Sequence, residues 1–280
     1  MVVPILIYGC EVWGFCNLDP IEIFYRKFLK MILKLWSSTP SCQVYGESGQ
    51  LPIKFFIQKR IIAFWIKISE DKPQKFSSIL YKLTYKLHSS RKAYYSWIEN
   101  VKNILESCHF SNLWEHQDEY DKKSSLKNIV FKSLEAIYTE SWQHQTFNNQ
   151  YCVIYCMFKD NLKLENYLLM SKLTIAQKTT LLKFRVGNNK LPIQKYKFSR
   201  LNADKFCPFC HGVEMGFFIG NELHFLFECS TFANERSSYL KPYFYQRPNA
   251  IKIYELFNSR NIKVLKNLSL FVNIIMEKFN

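Results

Sequence analysis

The sequence predicts a mainly α-helical fold: an elongated array of helices with a small cysteine-rich module near the carboxy terminus. Three observations lead to this class. Apolar residues recur at helical spacing along most of the chain. Only 8 Gly and 9 Pro occur among 280 residues, fewer turn residues than a hairpin-rich β fold needs. Hydrophobic residues make up 48% of the chain, which is enough to bury a core.

The first predicted helices have clear starts. Asp19 and Pro20 combine a capping carboxylate with a proline at the first helical position, and we expect this helix to end before the segment 37–40. Pro52 opens a second helix, which runs to about Ser69. Further amphipathic stretches predict helices over 74–88, 92–107, 122–143, 173–186, 231–240, 250–258 and 262–278.

The polar segment 144–150, HQTFNNQ, is the best candidate for a domain boundary. With this boundary, four parts are expected along the chain. They are a helical segment over 1–70, a helical connector over 71–150, a basic helix with the cysteine-rich module over 151–235, and C-terminal helices over 236–280.

The balance of charge favours a polyanionic partner. Lys and Arg total 38 against 23 Asp and Glu, a net charge of +15. A positive charge of this size most often serves the binding of RNA or DNA. The alternative is a basic surface that is merely solvated.

Cysteine usage and the amino terminus indicate the compartment. Nine cysteines, six of them scattered, are typical of a reducing environment rather than of a secreted disulfide scaffold. The start, MVVPILIYGCEVWGF, lacks the basic residues of a signal peptide, and Pro4 and Gly9 interrupt its apolar run. No stretch reaches the roughly 18 apolar residues of a membrane span. We therefore expect an intracellular protein, nuclear or cytoplasmic, that is not secreted and binds no membrane.

Four potential metal ligands follow the pattern C-x2-C-x13-H-x4-C: Cys207, Cys210, His224 and Cys229. Thiolate and neutral imidazole are ligands of structural zinc, and two cysteines separated by two residues can grip the ion from one tight turn. Four ligands complete a tetrahedral shell, so the pattern predicts one structural Zn²⁺ with no position left for an activated water. The alternative is a set of buried thiols around a core histidine.

Other side chains compete less well for the metal. His211 directly follows Cys210 and is a possible decoy ligand, although its ring would have to fold back against the turn. The remaining cysteines are not expected to bind metal. They are Cys10, Cys16, Cys42, Cys108, Cys152 and Cys156.

Charge changes sign next to the cysteine pattern. Residues 207–229 hold three Glu and no Lys or Arg, whereas residues 151–206 hold 11 Lys and Arg against 3 Asp and Glu. We therefore expect the metal to hold the fold and the preceding basic segment to contact nucleic acid. The candidates are Lys183, Arg185, Lys190, Lys195, Lys197 and Arg200 for phosphates, and Tyr196 and Phe198 for stacking on bases. The alternative for each single lysine is a solvated side chain.

Three stretches in series resemble the carboxy-terminal part of LINE-type (non-LTR) retrotransposon reverse transcriptases. VVPILIYGCEVWGF resembles the segment that enters the thumb of those enzymes, and STPSCQVYGESGQLPI resembles the thumb's T-P…V-Y-G-E-x-G-x-x-P signature. LLKFRVGNNKLPI, followed by CPFC and HFLFEC, resembles their basic helix and terminal CCHC zinc knuckle. The resemblance covers about residues 1 to 235.

The resemblance implies a thumb-like segment over 1–70 that grips a template–primer duplex, and a knuckle region that helps to hold RNA or DNA. Polymerases of this family hold two metal ions with palm aspartates, usually in a Tyr-x-Asp-Asp element. This chain has six aspartates, and no two are adjacent. We therefore expect a truncated, non-catalytic reverse-transcriptase tail that binds RNA, DNA or both and takes no small-molecule substrate. The missing palm and fingers half is a further candidate partner. The alternative is a zinc-stapled helical module that binds protein and not nucleic acid.

Overall fold

Helices dominate the structure, a computed structural model that describes residues 2–72, 74–117, 125–199, 205–210 and 218–279. Helix content is 67%, and the described residues contain no strand, only an isolated antiparallel bridge between Phe206 and Ile219. The predicted mainly α class is confirmed. None of the helices in these ranges combines the length and the apolar character that crossing a bilayer requires.

The α-helices follow one another along the chain, and three shorter turns accompany them. The α-helices are α1 (Val2–Leu6), α2 (Cys10–Trp13), α3 (Asp19–Ile32), α4 (Ser41–Ser48), α5 (Ile53–Glu70), α6 (Phe76–Ser89), α7 (Ser96–Ser107), α8 (Ser111–Glu115), α9 (Lys127–Phe147), α10 (Asn166–Leu169), α11 (Ile175–Arg185), α12 (Pro192–Ser199), α13 (Ala233–Tyr239), α14 (Pro242–Tyr245), α15 (Ala250–Phe257) and α16 (Ile262–Glu277). Tyr155–Met157 and Ser230–Phe232 form 3₁₀ turns, and His224–Glu228 forms a π turn.

Most long helices lie where the apolar periodicity places them. Helix α3 begins at Asp19 as predicted but ends at Ile32, because Lys34 adopts a left-handed conformation with φ 53° that stops the helix. Helix α9 continues to Phe147, so part of the polar segment 144–150 is helical. The pattern misses α4, whose buried residues include the polar Gln43, Glu47 and Ser48, so that its sequence shows no apolar stripe.

The chain forms two compact units. Unit 1 comprises Met1–Tyr25 and Leu51–Trp142, and unit 2 comprises Arg26–Gln50 and Gln143–Asn280. The second part of unit 2 thus begins next to the segment proposed as a boundary. The finer division into four parts stays a prediction.

Unit 1 is built around α5, which packs against α2, α6 and α7. Ile61 and Trp65 of this helix are fully buried. The indole Nε1 of Trp65 donates to the Tyr81 hydroxyl at 2.7 Å, and that hydroxyl donates to Oε1 of Gln117. The Gln117 amide in turn donates to the Trp114 carbonyl at 2.9 Å. The polar atoms of this aromatic core are therefore paired with one another.

Unit 2 contains a buried network of charged groups at α4 and α11. Arg185, at the end of α11, donates from Nε to Oε1 of Glu47 at 3.0 Å, and its Nη2 lies 3.3 Å from Oε1 of Glu165. Tyr167 donates to the second Glu47 oxygen at 2.7 Å, and Lys159 pairs with Glu165. These contacts tie α4 to residues more than a hundred positions later in the sequence. They explain why this polar helix is buried.

Candidate metal centre and the basic segment beside it

The four predicted metal ligands lie together. One ligand atom from each of Cys207, Cys210, His224 and Cys229 lies within 4.8 Å of all the others. The sulfur of Cys229 is 3.9 Å from that of Cys207 and 3.7 Å from that of Cys210. Tetrahedral zinc with bonds of about 2.3 Å to sulfur would place two sulfurs about 3.8 Å apart. The sulfur positions therefore already match the edges of such a tetrahedron.

The His224 ring has one nitrogen available for a metal. Its Nδ1 lies 3.3 Å from Oε2 of Glu228, while Nε2 is buried and has no hydrogen-bond partner among the described residues. A metal-bound imidazole commonly has this arrangement, with the far nitrogen held by a carboxylate and the other free to bind. The cluster can therefore hold a metal ion with four protein ligands.

Local backbone structure brings the two ligand pairs together. Cys207 donates its amide to the Phe218 carbonyl at 2.8 Å, next to the bridge formed by Phe206. On the other side, Cys229 donates its amide to the His224 carbonyl at 2.8 Å. This i→i+5 bond closes the π turn, which is one residue wider than an α-helical turn.

Arg236 supports the second ligand pair, a role that the sequence analysis missed. Its buried guanidinium donates to the carbonyls of Leu226 and Cys229, both at 2.7 Å. Carbonyls at a helix end otherwise lack a partner, so this side chain caps the π turn. An arginine seven residues after the last cysteine carries no recognisable spacing, and no pattern could have identified it.

Burial controls the protonation of the cluster. It raises the pKa of the Cys207 thiol to about 12, raises the pKa of Cys229, and lowers the pKa of His224. At Cys210 burial also acts to raise the pKa, but hydrogen bonds with Ser230 and the neighbouring thiols outweigh it, and the pKa is lowered. A cation that binds here must therefore displace thiol protons, as metal binding to cysteines does.

This cluster is the only group of three or more metal-ligating side chains in the described ranges. Among the other cysteines, the sulfurs of Cys42 and Cys152 lie 3.6 Å apart in unit 2. His211, the possible decoy ligand, lies outside the described residues. Because four side chains fill a tetrahedral shell, the cluster has the composition of a structural rather than a catalytic site.

The structure exposes only part of the predicted nucleic-acid segment. Lys190 and Lys195 are exposed, and Lys183 is half-buried at the end of α11. Lys197 is half-buried with its ammonium 5.5 Å from the centre of the Tyr151 ring, and burial lowers its pKa. Tyr196 is half-buried beneath Lys205, whose ammonium lies 5.7 Å from the ring centre. Arg200 and the side chain of Phe198 lie outside the described residues.

Arg185 is not the phosphate contact that its place in the basic segment predicts. Its side chain is 0% exposed and engages Glu47 and Glu165. These two carboxylates raise the pKa of the guanidinium against the opposing effect of burial. A phosphate could reach Arg185 only by disrupting the interior of unit 2. This prediction is therefore wrong, because a buried acidic pair claims the charge.

The metal cluster and the basic segment are connected by direct hydrogen bonds. Ile193, in α12, donates its amide to the Gly220 carbonyl at 3.1 Å, and Gly220 donates to the Lys205 carbonyl at 2.8 Å. Gln194 donates to Oε1 of the buried Glu222 at 2.6 Å. The bonds of Ile193 and Gln194 join α12 to two residues that lie between the ligand pairs in the sequence, to the backbone of Gly220 and to the side chain of Glu222. Metal binding would therefore fix the position of α12 as well as that of its own ligands.

Comparisons of this chain with models of known protein families, with curated proteins and with solved structures find no match.

Proposed function

We propose that this chain is a nucleic-acid-binding module in which a structural zinc ion holds a basic segment in place. The main observation in support of this proposal is that the positive charge is distributed unevenly between the two units. Unit 2 has 23 Lys and Arg against 10 Asp and Glu, a net charge of +13. Unit 1 has 15 against 13, a net charge of +2. The positive charge thus accumulates in the unit that contains the metal cluster, where it would attract a polyanion.

Zinc is the proposed metal because three thiolates and one imidazole in a closed tetrahedral site suit it best. The bound ion would supply cross-linking and no reaction chemistry. Cys207 and Cys210 would hold one side and His224 and Cys229 the other, while the bonds to Gly220 and Glu222 transmit this rigidity to α12. The role of the cluster is then to present Lys190 and Lys195 on a fixed backbone.

The resemblance to LINE-type reverse transcriptases supports the same proposal, since it implies a region that holds element RNA or target DNA. We propose a binding role without catalysis, because no adjacent aspartates are present to hold a pair of catalytic metal ions. Phosphates would contact the lysines of the basic segment, and unstacked bases would contact aromatic rings.

The test is a titration of a single-stranded oligonucleotide at several salt concentrations with a triple variant, Lys183→Ala, Lys190→Ala and Lys195→Ala. The matched control removes three exposed lysines of unit 1, Lys82, Lys86 and Lys92, and changes the net charge equally. Each lost phosphate contact should lower the log–log salt slope by about 0.7 for a single strand. We expect the first variant to bind more weakly with a flatter slope, and the control to retain the wild-type slope.

Equal binding by wild type and both variants would contradict the proposal. The alternative, a helical module that binds protein, would then be preferred. One observation favours this alternative. Unit 1 has an apolar groove of about 410 Å³ in which Val12 is 69% exposed and Leu80 is 47% exposed. An apolar surface of this kind suits a protein partner, whose binding would depend little on salt.

A further inference from the structure

Unit 2 contains a cavity of about 260 Å³ next to the basic segment. The aromatic residues Trp36 and Tyr151 line it, and they are 38% and 44% exposed. Lys197 lines it too, with its ammonium over the Tyr151 ring. Gln43 from α4 and Asn188 from the loop before α12 also line the cavity. The cavity therefore combines aromatic faces, one positive charge and two side-chain amides.

Both side-chain amides are buried, and three of their polar atoms have no hydrogen-bond partner among the described residues. Asn188 is 2% exposed, and neither its Nδ2 nor its Oδ1 has a hydrogen-bond partner within the described part of the chain. Gln43 is 1% exposed, and its Oε1 is also unpaired within that part. An unsatisfied buried polar atom destabilises the free protein, because it has lost its hydrogen bonds to water without a replacement. Such atoms therefore call for an explanation, and a ligand that pairs with them supplies one.

The side-chain amide of the neighbouring Asn189, by contrast, forms hydrogen bonds within the protein. Asn189 donates from Nδ2 to Glu222 at 3.3 Å and accepts the Leu191 amide at 3.1 Å. Among the described residues, Asn188 makes a backbone bond alone, from its backbone amide to the Lys183 carbonyl at 2.7 Å. Gly187 fixes this turn with φ 65°, and a side chain there would lie 2.6 Å from Gln194. The backbone thus holds Asn188 firmly at the cavity while leaving its amide unused.

We propose that this cavity receives one unstacked nucleobase of a single strand and reads its hydrogen-bonding edge. The inference rests on the proposed nucleic-acid binding and names the site within it. Trp36 or Tyr151 supplies the stacking surface, and Lys197 supplies a cation for the adjoining phosphate. Asn188 and Gln43 contact the edge of the base. Side-chain amides are the usual partners of base edges, because they offer a donor and an acceptor side by side.

The available polar atoms select among the bases. Asn188 offers an amino group and one acceptor, and Gln43 adds a second acceptor. Satisfying both acceptors requires two N–H bonds beside an acceptor on the base. Cytosine has this set in its exocyclic amino group and N3, and adenine and guanine have equivalent sets. Uracil and thymine have a single ring N–H between two carbonyls. The cavity should therefore prefer bases with an exocyclic amine.

The test compares oligodeoxycytidylate with oligodeoxyuridylate of equal length, at neutral pH and several salt concentrations. The two strands have the same backbone and differ in the base edge. We expect wild type to bind the cytidylate on the order of tenfold more tightly, the discrimination of one good bidentate contact. Asn188→Ala should bring the two affinities together with no fall in melting temperature, because the side-chain amide has no hydrogen bond to a described residue that the substitution would break. The matched control is Asn148→Ala, which removes an exposed amide of the same unit.

The outcomes separate the cavity from the general binding. Equal affinity of wild type for both strands, with a steep salt dependence, overturns the cavity proposal and leaves the proposed function intact. A cytidylate preference that persists in Asn188→Ala also overturns it, because the base would then be read by other groups. Failure of wild type to bind either strand overturns both proposals. If Asn188→Ala does not fold, the proposal is tested by the ratio of the two affinities in wild type and by the loss or persistence of that ratio in Gln43→Met.

Discussion

The interiors of the two units differ in the kind of side chain they bury. Unit 1 buries an aromatic core in which Trp65, Tyr81 and Gln117 pair their polar atoms with one another. Unit 2 buries a complete arginine between two carboxylates, the thiols of Cys207 and Cys229 with a histidine, and an Asn188 side chain that has no hydrogen-bond partner among the described residues. Burial of apolar surface stabilises a fold directly, whereas burial of charged and polar groups is costly unless they are paired. Unit 2 therefore depends more on specific partners, and the proposed functional residues are among them.

Removal of the metal should have the largest effect on stability, and this effect should be confined to unit 2. We expect purified protein to contain one zinc per chain and the double variant Cys207→Ser with Cys229→Ser to contain none. Structural zinc in small peptides contributes an apparent 10–16 kcal/mol, roughly, at neutral pH, so unit 2 should lose its cooperative unfolding transition. Unit 1, which has no ligand in the cluster, should retain its own transition. Elemental analysis and thermal unfolding measure the two effects.

The control for this experiment is Cys16→Ser with Cys108→Ser, which removes two thiols of unit 1. Cys16 is exposed and Cys108 is buried, so the pair tests both environments. We expect its zinc content to equal that of wild type. An unchanged zinc content in the Cys207 and Cys229 variant, or an equal loss in the control, would contradict the assignment of the ligands.

The sequence predicts those features that depend on spacing along the chain. The periodic helices α5 and α16 and the four metal ligands are of this kind, since each is fixed by residues within one or two dozen positions. The ion pair of Arg185 joins residues 138 positions apart, and no local pattern encodes it. Arg185 therefore looked like another exposed cation on a basic helix. The sequence likewise does not predict that the side chain of Asn188 lacks a partner among the described residues, because two adjacent asparagines are typical of an ordinary loop.

Substitution of one arginine in each unit should sharpen the comparison. Arg185→Met leaves Glu47 and Glu165 without their main counter-charge in a buried site, which in general costs about 3–5 kcal/mol. Arg60→Met breaks the pair with Glu11 in unit 1, where Arg60 is 42% exposed. Such surface pairs contribute about 0–1 kcal/mol. Urea unfolding of both variants gives the two free energies, and similar losses would show that the interiors do not differ as the structure indicates.

Glu165 in unit 2 and Asp71 in unit 1 should contribute to the pH dependence of stability with opposite signs. In unit 2, burial raises the pKa of Glu165 above its ordinary value of 4.5, against the opposing charge of Arg185. The folded state then binds this proton more tightly than the unfolded state. The resulting stabilisation is fully present below pH 4.5 and is lost as the pH rises through the raised pKa. In unit 1, the hydrogen bond from Lys75 lowers the pKa of Asp71, and its stabilisation is lost as the pH falls.

Two isosteric variants isolate these small contributions. Glu165→Gln removes the titrating group, so the stability of wild type relative to this variant should decrease as the pH rises from 4.5 through the raised pKa. Asp71→Asn should give the opposite trend over acidic pH, and a weaker one, because Asp71 is solvated. Urea unfolding of the three proteins measures both differences, from pH 4.5 to about pH 8 for Glu165 and below the ordinary pKa of 3.8 for Asp71. Effects of pH on the metal cluster cancel because all three proteins share it. A stability difference between wild type and Glu165→Gln that stays constant with pH would show that Glu165 titrates alike in the folded and unfolded states. Burial in unit 2 would then not destabilise the charged form of Glu165, and the interiors of the two units would not differ in the cost of burying charge.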